Sequence, residues 1–447
     1  MAAVSQAQND WVRSVFGLDM APVDAPPSVP PSAGASARPS AKGFAERFRS
    51  FLFGDDAPKA APADPKPPAD AALAKKLAAL DAAITGIEAK KFGVDRMRAD
   101  LDDLKTRAAA AEAETDVKAR TAAIAAVKTR ADEQIRHIAA LAQSIKDIIG
   151  ADKAEASAEK KSKVYAKALK TLYKIDIEVP AGMQNTHFDR VFDMMGTVPQ
   201  GDVTHDQLKH LVYNKANIGG VYYGGEYEDP DTKKTYKAGS IEMGDFGAAT
   251  NEEDYEVDGA KVKANSFDVT TLHEIGHSVD AKHGIMDKNQ SNTGCGGWVA
   301  ENAADVAAAF LPELKAVALP TPVDDAKLLA AIETALGAGT VTQPADIGDE
   351  EWAVIGPWLV GHCLPPRETA QPYFNPNPVV VGSRVYTQSG SDWWSYVHAS
   401  RTATFVNCYQ WRTPAEWFAE VYAITWLKKK KPPSAVPAAV AKHCWQG

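Results

Sequence analysis

The spacing of apolar residues divides the chain into three parts. From residue 69 to residue 179 there is no proline, and apolar side chains recur at alternating intervals of three and four. This spacing places them along one side of a helix, and its repetition over many turns is typical of coiled-coil-like pairs. We therefore predict an α-helical hairpin or small bundle over residues 71–175. Its apolar seam comprises Leu73, Leu77, Leu80, Ile84, Ile87, Val94, Met97, Leu101, Leu104, Ile124, Val127, Ala131, Ile135, Ile138, Leu141, Ile145 and Ile148.

The first 70 residues lack this periodicity. Prolines are interspersed with alanine and other small or polar residues over 22–39 and again over 57–70, a composition that buries too little apolar surface to fold. We predict a disordered leader over residues 1–70. Within it, the phenylalanine-rich segment 44–53 could form a short amphipathic helix that docks on a secretion apparatus, a chaperone or another partner.

The C-terminal part, residues 176–447, has the pattern of an α+β domain. The glycine- and tyrosine-rich segment that begins at Gly219 predicts a strand that turns into a hairpin. Alternation of apolar and polar positions over 234–243 and 255–263 predicts a small antiparallel sheet. The other predicted elements are helices over 298–316, 326–336 and 414–427 and a long loop over 365–390.

Composition narrows the class of protein. The net charge of −9 at pH 7 argues against a nucleic-acid partner, because no basic domain stands out and the lysine run 428–431 is predicted as a solvated helix end. No stretch approaches the about 20 consecutive apolar residues of a membrane span. The N-terminus has no basic start followed by an apolar run, so no Sec-type signal peptide is expected. The four cysteines, all between residues 295 and 444, could form disulfides or remain buried thiols.

One further predicted helix, over 268–283, contains candidate metal-binding and catalytic residues. His273 and His277 lie four residues apart, so both imidazoles project from one face and can bind a single zinc ion. Glu274 between them would face a zinc-activated water. The alternative is a solvent-facing helix that carries two histidines by chance.

The other residues of this helix indicate that it is buried in a core. Asp268 is expected to cap its first turn and Gly284 to end its last one. The face away from the histidines is apolar and would pack in a core. Its residues are Leu272, Ile275 and Val279.

A catalytic zinc site needs a third protein ligand and one open position. The first candidate is His283, which completes the His-x-x-x-His-x-x-x-x-x-His spacing of metzincins. Against it, Asp280 occupies the place of the glycine that turns the chain back toward the metal, and no methionine follows Met286.

Two glutamates are the other candidates for the third ligand. Glu301, with Asp305 four residues later, has the arrangement of the second helix of gluzincins. Glu416 lies in the first turn of the helix predicted over 414–427. Both glutamates could also be solvent-facing acids on amphipathic helices, so the residues alone leave the choice open.

Three short segments match a known pattern in order and register. They are His273–Asp280, then Asp287–Ser291, and finally Glu416–Glu420 with Tyr409 seven residues before it. Together they resemble the anthrax lethal factor-like metallopeptidases, a family with a zincin fold. In that family the first helix binds zinc, the first glutamate of a Glu-Phe-Phe-Ala-Glu helix is the third ligand, and the tyrosine assists catalysis. The resemblance therefore implies a site for one Zn²⁺ ion held by His273, His277 and Glu416.

The activity implied by the resemblance is that of a zinc-dependent endopeptidase acting on a protein or peptide. Glu274 would be the general base for the zinc-activated water, and Tyr409 would stabilise the oxyanion. Glu420 and Asp280 would hold a ligand imidazole in the required tautomer. Because the stretch from residue 292 to residue 407 is longer than in the family pattern, no substrate preference carries over.

The order of leader, helical module and protease resembles the layout of a bacterial toxin or injected effector. Without a Sec-type signal, secretion or injection by a dedicated apparatus is expected, and the alternative is a cytoplasmic location. A different class also remains open, a binding or structural protein that carries an inactive zincin domain. The complete set of His273, Glu274, His277 and Tyr409 argues against an inactive domain.

Overall fold

The computed structural model describes most of the chain from residue 70 onward. The described residues are 70–88, 94–153, 158–178, 185–214, 219–244, 252–257, 259–366, 378–428 and 430–444. The predicted leader, including segment 44–53, lies outside them apart from Asp70. Within them runs of helices and runs of short strands follow one another, which confirms the predicted α+β class.

The described residues form two compact units. One comprises residues 70–75 and 106–127, and the other comprises residues 76–105 and those from 128 onward. Every residue of the candidate site belongs to the second unit. The domain boundaries near residues 70 and 175 stay predictions.

Helices occupy the region in which the apolar seam is found. They are α1 (Ala71–Glu88), α2 (Asp95–Ala113), α3 (Val117–Lys153) and α4 (Ala158–Tyr173). Most seam residues are buried, which confirms the helical spacing, whereas pairing of the helices as a coiled coil stays a prediction. Among the helices that the structure describes, none combines the length and the apolar character needed to cross a bilayer.

A four-stranded sheet opens the C-terminal part. Its region contains β1 (Asp176–Glu178), α5 (Asn185–Thr197), α6 (Gln200–Val203), β2 (His210–Tyr213), β3 (Gly220–Tyr223), β4 (Tyr227–Glu228), β5 (Thr235–Tyr236) and β6 (Ser240–Met243). The strand order is β1, β2, β6, β3, with the first three parallel and β3 antiparallel to β6. The predicted antiparallel pairing is confirmed for β3 with β6 and for β4 with β5. The sheet as a whole is mixed, because the helical crossover between β1 and β2 lets these two strands run parallel. Among the described strands, β3 forms one edge of the sheet.

An antiparallel hairpin leads directly into the helix that carries the histidines. Its strands are β7 (Glu252–Val257) and β8 (Ala260–Asn265), and the helix is α7 (Ser266–His283). The side chain of Asn265 caps this helix by accepting from the backbone N–H groups of Phe267 and Asp268. Asp268 therefore does not cap the helix but pairs with Arg190 of α5 at 2.7 Å. Gly284, with φ of 55°, ends the helix as predicted.

The long stretch from Ile285 to Ala403, between α7 and the helix predicted over 414–427, has a core of its own, and we refer to it below as the inserted region because it separates these two helices. Its elements are α8 (Ile285–Asn289), β9 (Val299–Glu301), α9 (Ala303–Lys315), α10 (Asp325–Ala338), α11 (Asp349–His362), β10 (Val380–Val381), β11 (Arg384–Ser389), β12 (Asp392–Val397) and α12 (His398–Ala403). The strands form an antiparallel sheet in the order β10, β11, β12, β9. Buried side chains of α9, α10 and α11 pack together with side chains of this sheet.

Two sequence predictions fail in the inserted region. The helix predicted over 298–316 begins only after Asn302, whose side chain accepts from the backbone N–H of Asp305, and the residues before it form β9. The loop predicted over 365–390 contains β10 and β11, while residues 367–377 lie outside the described part of the chain. The helix predicted over 326–336 is confirmed by α10.

The second long helix of the core is α13 (Pro414–Lys428), in agreement with the prediction over 414–427. The short helix α14 (Ala438–Ala441) follows it. Helices α7 and α13 approach each other closely at Gly276, where an added Cβ would lie 3.0 Å from Cα of Ala419. Leu272, Ile275 and Val279 are fully buried, as predicted. This close packing brings the histidines of α7 next to the first turn of α13.

Candidate metal centre

Three side chains from α7 and α13 converge on one point. Nε2 of His273 lies 3.0 Å from Nε2 of His277, and the two nitrogens lie 2.9 and 3.2 Å from Oε2 of Glu416. Among the described residues this is the one group of histidine, cysteine and acidic side chains whose atoms lie close enough together to share a metal ion. The group therefore could hold a metal.

The donor set fits zinc in kind and in spacing. Two imidazole nitrogens and one carboxylate oxygen are a ligand set found in catalytic zinc sites. Ligand atoms at the usual zinc distances of about 2.0–2.1 Å lie about 3.3 Å apart in a tetrahedral site. The observed separations of 2.9–3.2 Å are close to that value. The side chains of His273, His277 and Glu416 are 7, 16 and 13% exposed, so most of the site is shielded from water.

The sequence around Glu416 explains its position. The side chain of Thr413 accepts from the backbone N–H of Glu416 at 3.3 Å, and Pro414 occupies the first helical position, where no N–H is needed. Glu416 therefore lies in the first turn of α13. The positive end of the helix dipole there favours its negative charge.

The charges of this group depend on one another. Burial opposes a charged imidazole at His273, but the carboxylates of Glu420 and Glu416 outweigh it and raise the His273 pKa well above its usual value. Burial likewise favours a neutral Glu416, yet His277 and His273 hold the Glu416 pKa well below its usual range. The carboxyl group of Glu416 is therefore ionised, which is the form that binds a cation.

Glu274 lies beside the metal-binding group and is 4% exposed. Strand β3 passes directly over it, because a Cβ added to Gly220 would lie only 2.5 Å from Oε1 of Glu274. Burial raises the pKa of Glu274, and the nearby imidazoles of His273 and His277 partly oppose this effect. A buried carboxyl group with a raised pKa next to a metal site is suited to general base catalysis.

Tyr409 reaches the group from a 3₁₀ turn, Tyr409–Trp411, that precedes α13. Its hydroxyl donates to Oε1 of Glu416 at 3.2 Å and accepts from Nη1 of Arg412 at 3.0 Å. The Tyr409 and His273 ring centroids are 5.8 Å apart. Burial, and then the charge of Glu416, raises the pKa of Tyr409 well above its usual value. The phenol therefore keeps its proton and can donate it.

Glu420 lies on the far side of His273. Its Oε1 is 3.1 Å from Nδ1 of His273, and its role in setting the tautomer of that ring stays a prediction. The N–H direction deviates from this line, so the contact is an ion pair rather than an aligned hydrogen bond. Oε2 of Glu420 accepts from Asn407 at 2.8 Å, and Asn407 in turn accepts from the backbone N–H of Gln410 at 2.9 Å. These bonds fix Glu420 relative to the turn that carries Tyr409.

The two other candidates for the third ligand lie elsewhere. Glu301 is on strand β9, where its Oε1 accepts a hydrogen bond from the Ser395 hydroxyl at 2.5 Å. It therefore lies neither on the predicted gluzincin-type helix nor in the group of three. His283 lies at the end of α7, and its ring packs on that of His443 with centroids 4.8 Å apart. Neither residue belongs to the metal-binding group.

Asp280 does not make the contact with an imidazole that the sequence predicts. Its Oδ1 accepts from the backbone N–H of Met286 at 2.8 Å, just after the turn at Gly284. The carboxylate thus stabilises the reversal of the chain between α7 and α8, instead of bonding to an imidazole. A residue three positions after His277 can serve either purpose, and the sequence does not distinguish them.

The structure resolves the alternatives for the cysteines. All four are free thiols, with Cys295, Cys363 and Cys444 buried and Cys408 partly buried. Burial raises the pKa of Cys295, Cys363 and Cys444 to about 12, so these thiols stay protonated and unreactive.

The sequence does not predict two residues of the site. Arg412 contacts the hydroxyl of Tyr409, and Gly220 permits the approach of β3 to Glu274. The only sequence signal for Arg412 is its place four residues before Glu416, a spacing that puts the two side chains on one side of a helical turn. Gly220 is the second glycine of a pair and carries no signal of its own.

Comparison of the chain with models of known protein families, with curated proteins and with solved structures finds no match. The fold is α+β, and the site is a buried group of two histidines and one glutamate that could hold a metal ion.

Proposed function

We propose that this protein is a zinc-dependent metalloendopeptidase with a zincin-type domain of the lethal factor-like family. The proposal rests on one observation: His273, His277 and Glu416 converge on one point, with Glu274 and Tyr409 beside them. Each of these five residues comes from a segment on which the family resemblance is based. Chance would have to place all five together, from parts of the chain more than 100 residues apart.

The chain supplies the ligands and the base for peptide hydrolysis. Zinc bound by His273, His277 and Glu416 would polarise the scissile carbonyl and lower the pKa of water. Glu274 would take a proton from the attacking water and then pass it to the leaving amine as the C–N bond breaks. The raised pKa of Glu274 makes its carboxylate a stronger base for accepting this proton.

Tyr409 would stabilise the negative charge that develops on the carbonyl oxygen. Its O–H is held at Oε1 of Glu416 and lies next to the ring of His273, so it would be available to a substrate oxygen bound beside these residues. A donor held ready at this place lowers the barrier because it needs little reorganisation.

Among the strands that the structure describes, β3 is an edge strand of its sheet, and this edge offers a place for the substrate backbone. The carbonyl groups of Gly219 and Tyr223 point toward β6 and accept hydrogen bonds from that side. The alternation along an antiparallel strand then turns the N–H and C=O groups of Gly220 and Tyr222 toward the open edge. A peptide added there as a further strand would pass beside Glu274, because Gly220 lies against that residue.

The experiment that tests this function combines metal removal with Glu274→Gln. We expect the parent to cleave members of a peptide library, to lose this activity with a chelator and to regain it with Zn²⁺. Glu274→Gln should retain zinc but lose about 10²- to 10⁴-fold in kcat, because the proton acceptor is gone. Cleavage is measured by mass spectrometry, with Glu252→Gln on the exposed face of β7 as the control. A parent that binds zinc and cleaves nothing would favour the binding or structural protein instead.

We further propose that the protein is delivered outside the producing cell as a toxin or effector. The support comes from the sequence, namely the predicted leader, the helical region and the protease-like part in that order. The partners would be a protein substrate and a secretion apparatus or chaperone that recognises the leader or the helical region. Fractionation of producing cells under conditions that induce secretion tests this, and retention of all protein in their cytoplasm would contradict it.

A further inference from the structure

Arg412 connects the inserted region to the group around Glu416. Its Nε donates to the hydroxyl of Ser389 at 3.0 Å, at the end of strand β11. Its Nη1 donates to the hydroxyl of Tyr409 at 3.0 Å and lies 3.8 Å from Oε1 of Glu416. One planar guanidinium group therefore contacts both the hairpin of the insertion and the phenol.

The contact sets the direction of the phenolic proton. Because Arg412 can only donate, the oxygen of Tyr409 must accept from it, and the O–H of Tyr409 must point elsewhere. The acceptor that the structure provides for it is Oε1 of Glu416, at 3.2 Å. A charged donor on the phenol oxygen also polarises the O–H bond and makes it a better donor.

The same contacts divide the two oxygens of Glu416 between different partners. Oε2 faces the two histidines, at 2.9 and 3.2 Å, whereas Oε1 faces Tyr409 and Arg412. Since the side chain of Arg412 is only 23% exposed, water competes weakly for these positions. Ser389 lies in the inserted region, far from Arg412 in the sequence. The arrangement of partners around Glu416 therefore also depends on that region.

We propose that Arg412 is a positioning residue, which holds the Tyr409 hydroxyl so that its proton is available to the oxyanion, and that Ser389 of the insertion fixes Arg412 for this purpose. The proposal rests on the proposed peptidase function, since it assigns Tyr409 to the transition state. Lysine at this position keeps the charge near Glu416 but lacks the planar fork that reaches Ser389 and Tyr409 together.

Steady-state kinetics of the zinc-loaded protein test the effect on catalysis. We expect Arg412→Lys to lower kcat about tenfold, the size expected when a hydrogen bond to a charged group is lost, with KM and zinc affinity changed less than about twofold. In a Tyr409→Phe background the same substitution should change kcat less than about twofold, because its effect passes through the missing hydroxyl. Equal losses in both backgrounds, or a tenfold loss of zinc affinity, would overturn the proposal.

A readout without turnover separates this proposal from the peptidase function. In the metal-free protein, 3-fluorotyrosine at position 409 reports the surroundings of the phenol through its ¹⁹F resonance. We expect Arg412→Lys to shift and broaden this resonance, Ser389→Ala to shift it less, and the control Arg384→Lys to leave it unchanged. Arg384 is a partly buried arginine of the same inserted sheet that bonds to Ser395 and Gly297. An unchanged resonance in Arg412→Lys would contradict the proposal that Arg412 positions the hydroxyl of Tyr409. A parent that cleaves no peptide would contradict only the peptidase function.

Discussion

Glu420 contacts His273, one of the three side chains that could hold a metal ion, on the side of the ring away from the other two. It contacts Nδ1 of His273 at 3.1 Å, while the other nitrogen of that ring faces His277 and Glu416. A carboxylate this close to Nδ1 favours a proton on that nitrogen, which leaves the lone pair of Nε2 available to a metal ion. The metal affinity of His273 should therefore depend on the charge of Glu420.

Glu420→Gln tests this dependence. The amide has no charge and presents a donor either to His273 or to Asn407, which itself donates to Glu420 at 2.8 Å. We expect the zinc dissociation constant to rise about 10- to 100-fold. Competition with a chromophoric chelator measures it, and Glu350→Gln at an exposed position of α11 is the control. An affinity equal to that of the parent would show that Glu420 does not support the site.

At the residue scale, sequence separation decides what could be predicted. His273 and His277 were identifiable because four-residue spacing on a helix has a fixed geometric meaning. Glu416 is 139 residues from His277, so spacing alone left three candidates and the family resemblance was needed to choose. The four-residue spacing between Arg412 and Glu416 does not reveal the role of Arg412, because that role depends on contacts with Ser389 and Tyr409 that only the fold creates.

At the scale of elements, the site depends on how closely β3 and α13 approach α7. Gly276 permits the contact with α13, and Gly220 permits the contact with β3. At Gly220 an added Cβ would meet Oε1 of Glu274 at 2.5 Å and Cγ2 of Thr270 at 2.6 Å, so a side chain there must displace something. The more flexible of the two groups is the carboxylate of Glu274.

Gly220→Ala should therefore impair catalysis without removing the metal. We expect kcat to fall about 10- to 100-fold, because a displaced base costs part of the 10²- to 10⁴-fold that general base catalysis supplies, while zinc content stays unchanged. The matched control is Gly225→Ala, soon after the same strand, where an added Cβ would have no atom within 4 Å. Unaltered kcat in Gly220→Ala would show that β3 does not constrain Glu274.

Long helices with clear end signals were the most predictable elements. α7 and α13 were expected from apolar spacing, and both ends of α13 agree with the prediction within about one residue. The sequence predicts a helix at the residues of β9 because they include alanine and glutamate, which favour helices. In the structure these residues pair instead with β12, far along the chain. Glu301 and its partner Ser395 are 94 residues apart, and such long-range pairing overrides local helix propensity.

At the scale of the whole molecule, stability should depend on pH through the turn before β2. Nε2 of His205 lies 2.8 Å from the carbonyl oxygen of Asp202, and Nδ1 accepts from the backbone N–H of Gln207. These bonds need a neutral ring. Burial, together with the nearby charge of Lys282, lowers the pKa of His205 to about 4 although the hydrogen bond to Asp202 opposes it.

The sign of the effect follows from this lowered pKa. Below about pH 6.5 the unfolded chain takes up a proton at this histidine that the folded protein does not, so folding stability is complete above that pH and is lost toward about pH 4. We expect a loss of about 1–2 kcal/mol, discounted because the ring is partly open to solvent.

His205→Gln removes the titrating group and keeps a donor for Asp202. Urea unfolding of the metal-free protein at about pH 7 and about pH 4.5 should show a smaller loss of stability in this variant than in the parent. His398→Gln, at an exposed position at the start of α12, should behave like the parent. Equal pH dependence in parent and His205→Gln would contradict the assignment.

The zinc content of the folded protein tests the central claim most directly. We would compare the parent with Glu416→Ala and Glu301→Ala, each checked for folding by circular dichroism and analysed for metal after dialysis. The site predicts about one zinc ion per chain in the parent and in Glu301→Ala, and little or none in Glu416→Ala. Loss of zinc in Glu301→Ala with retention in Glu416→Ala, or a parent that binds no zinc at all, would contradict it.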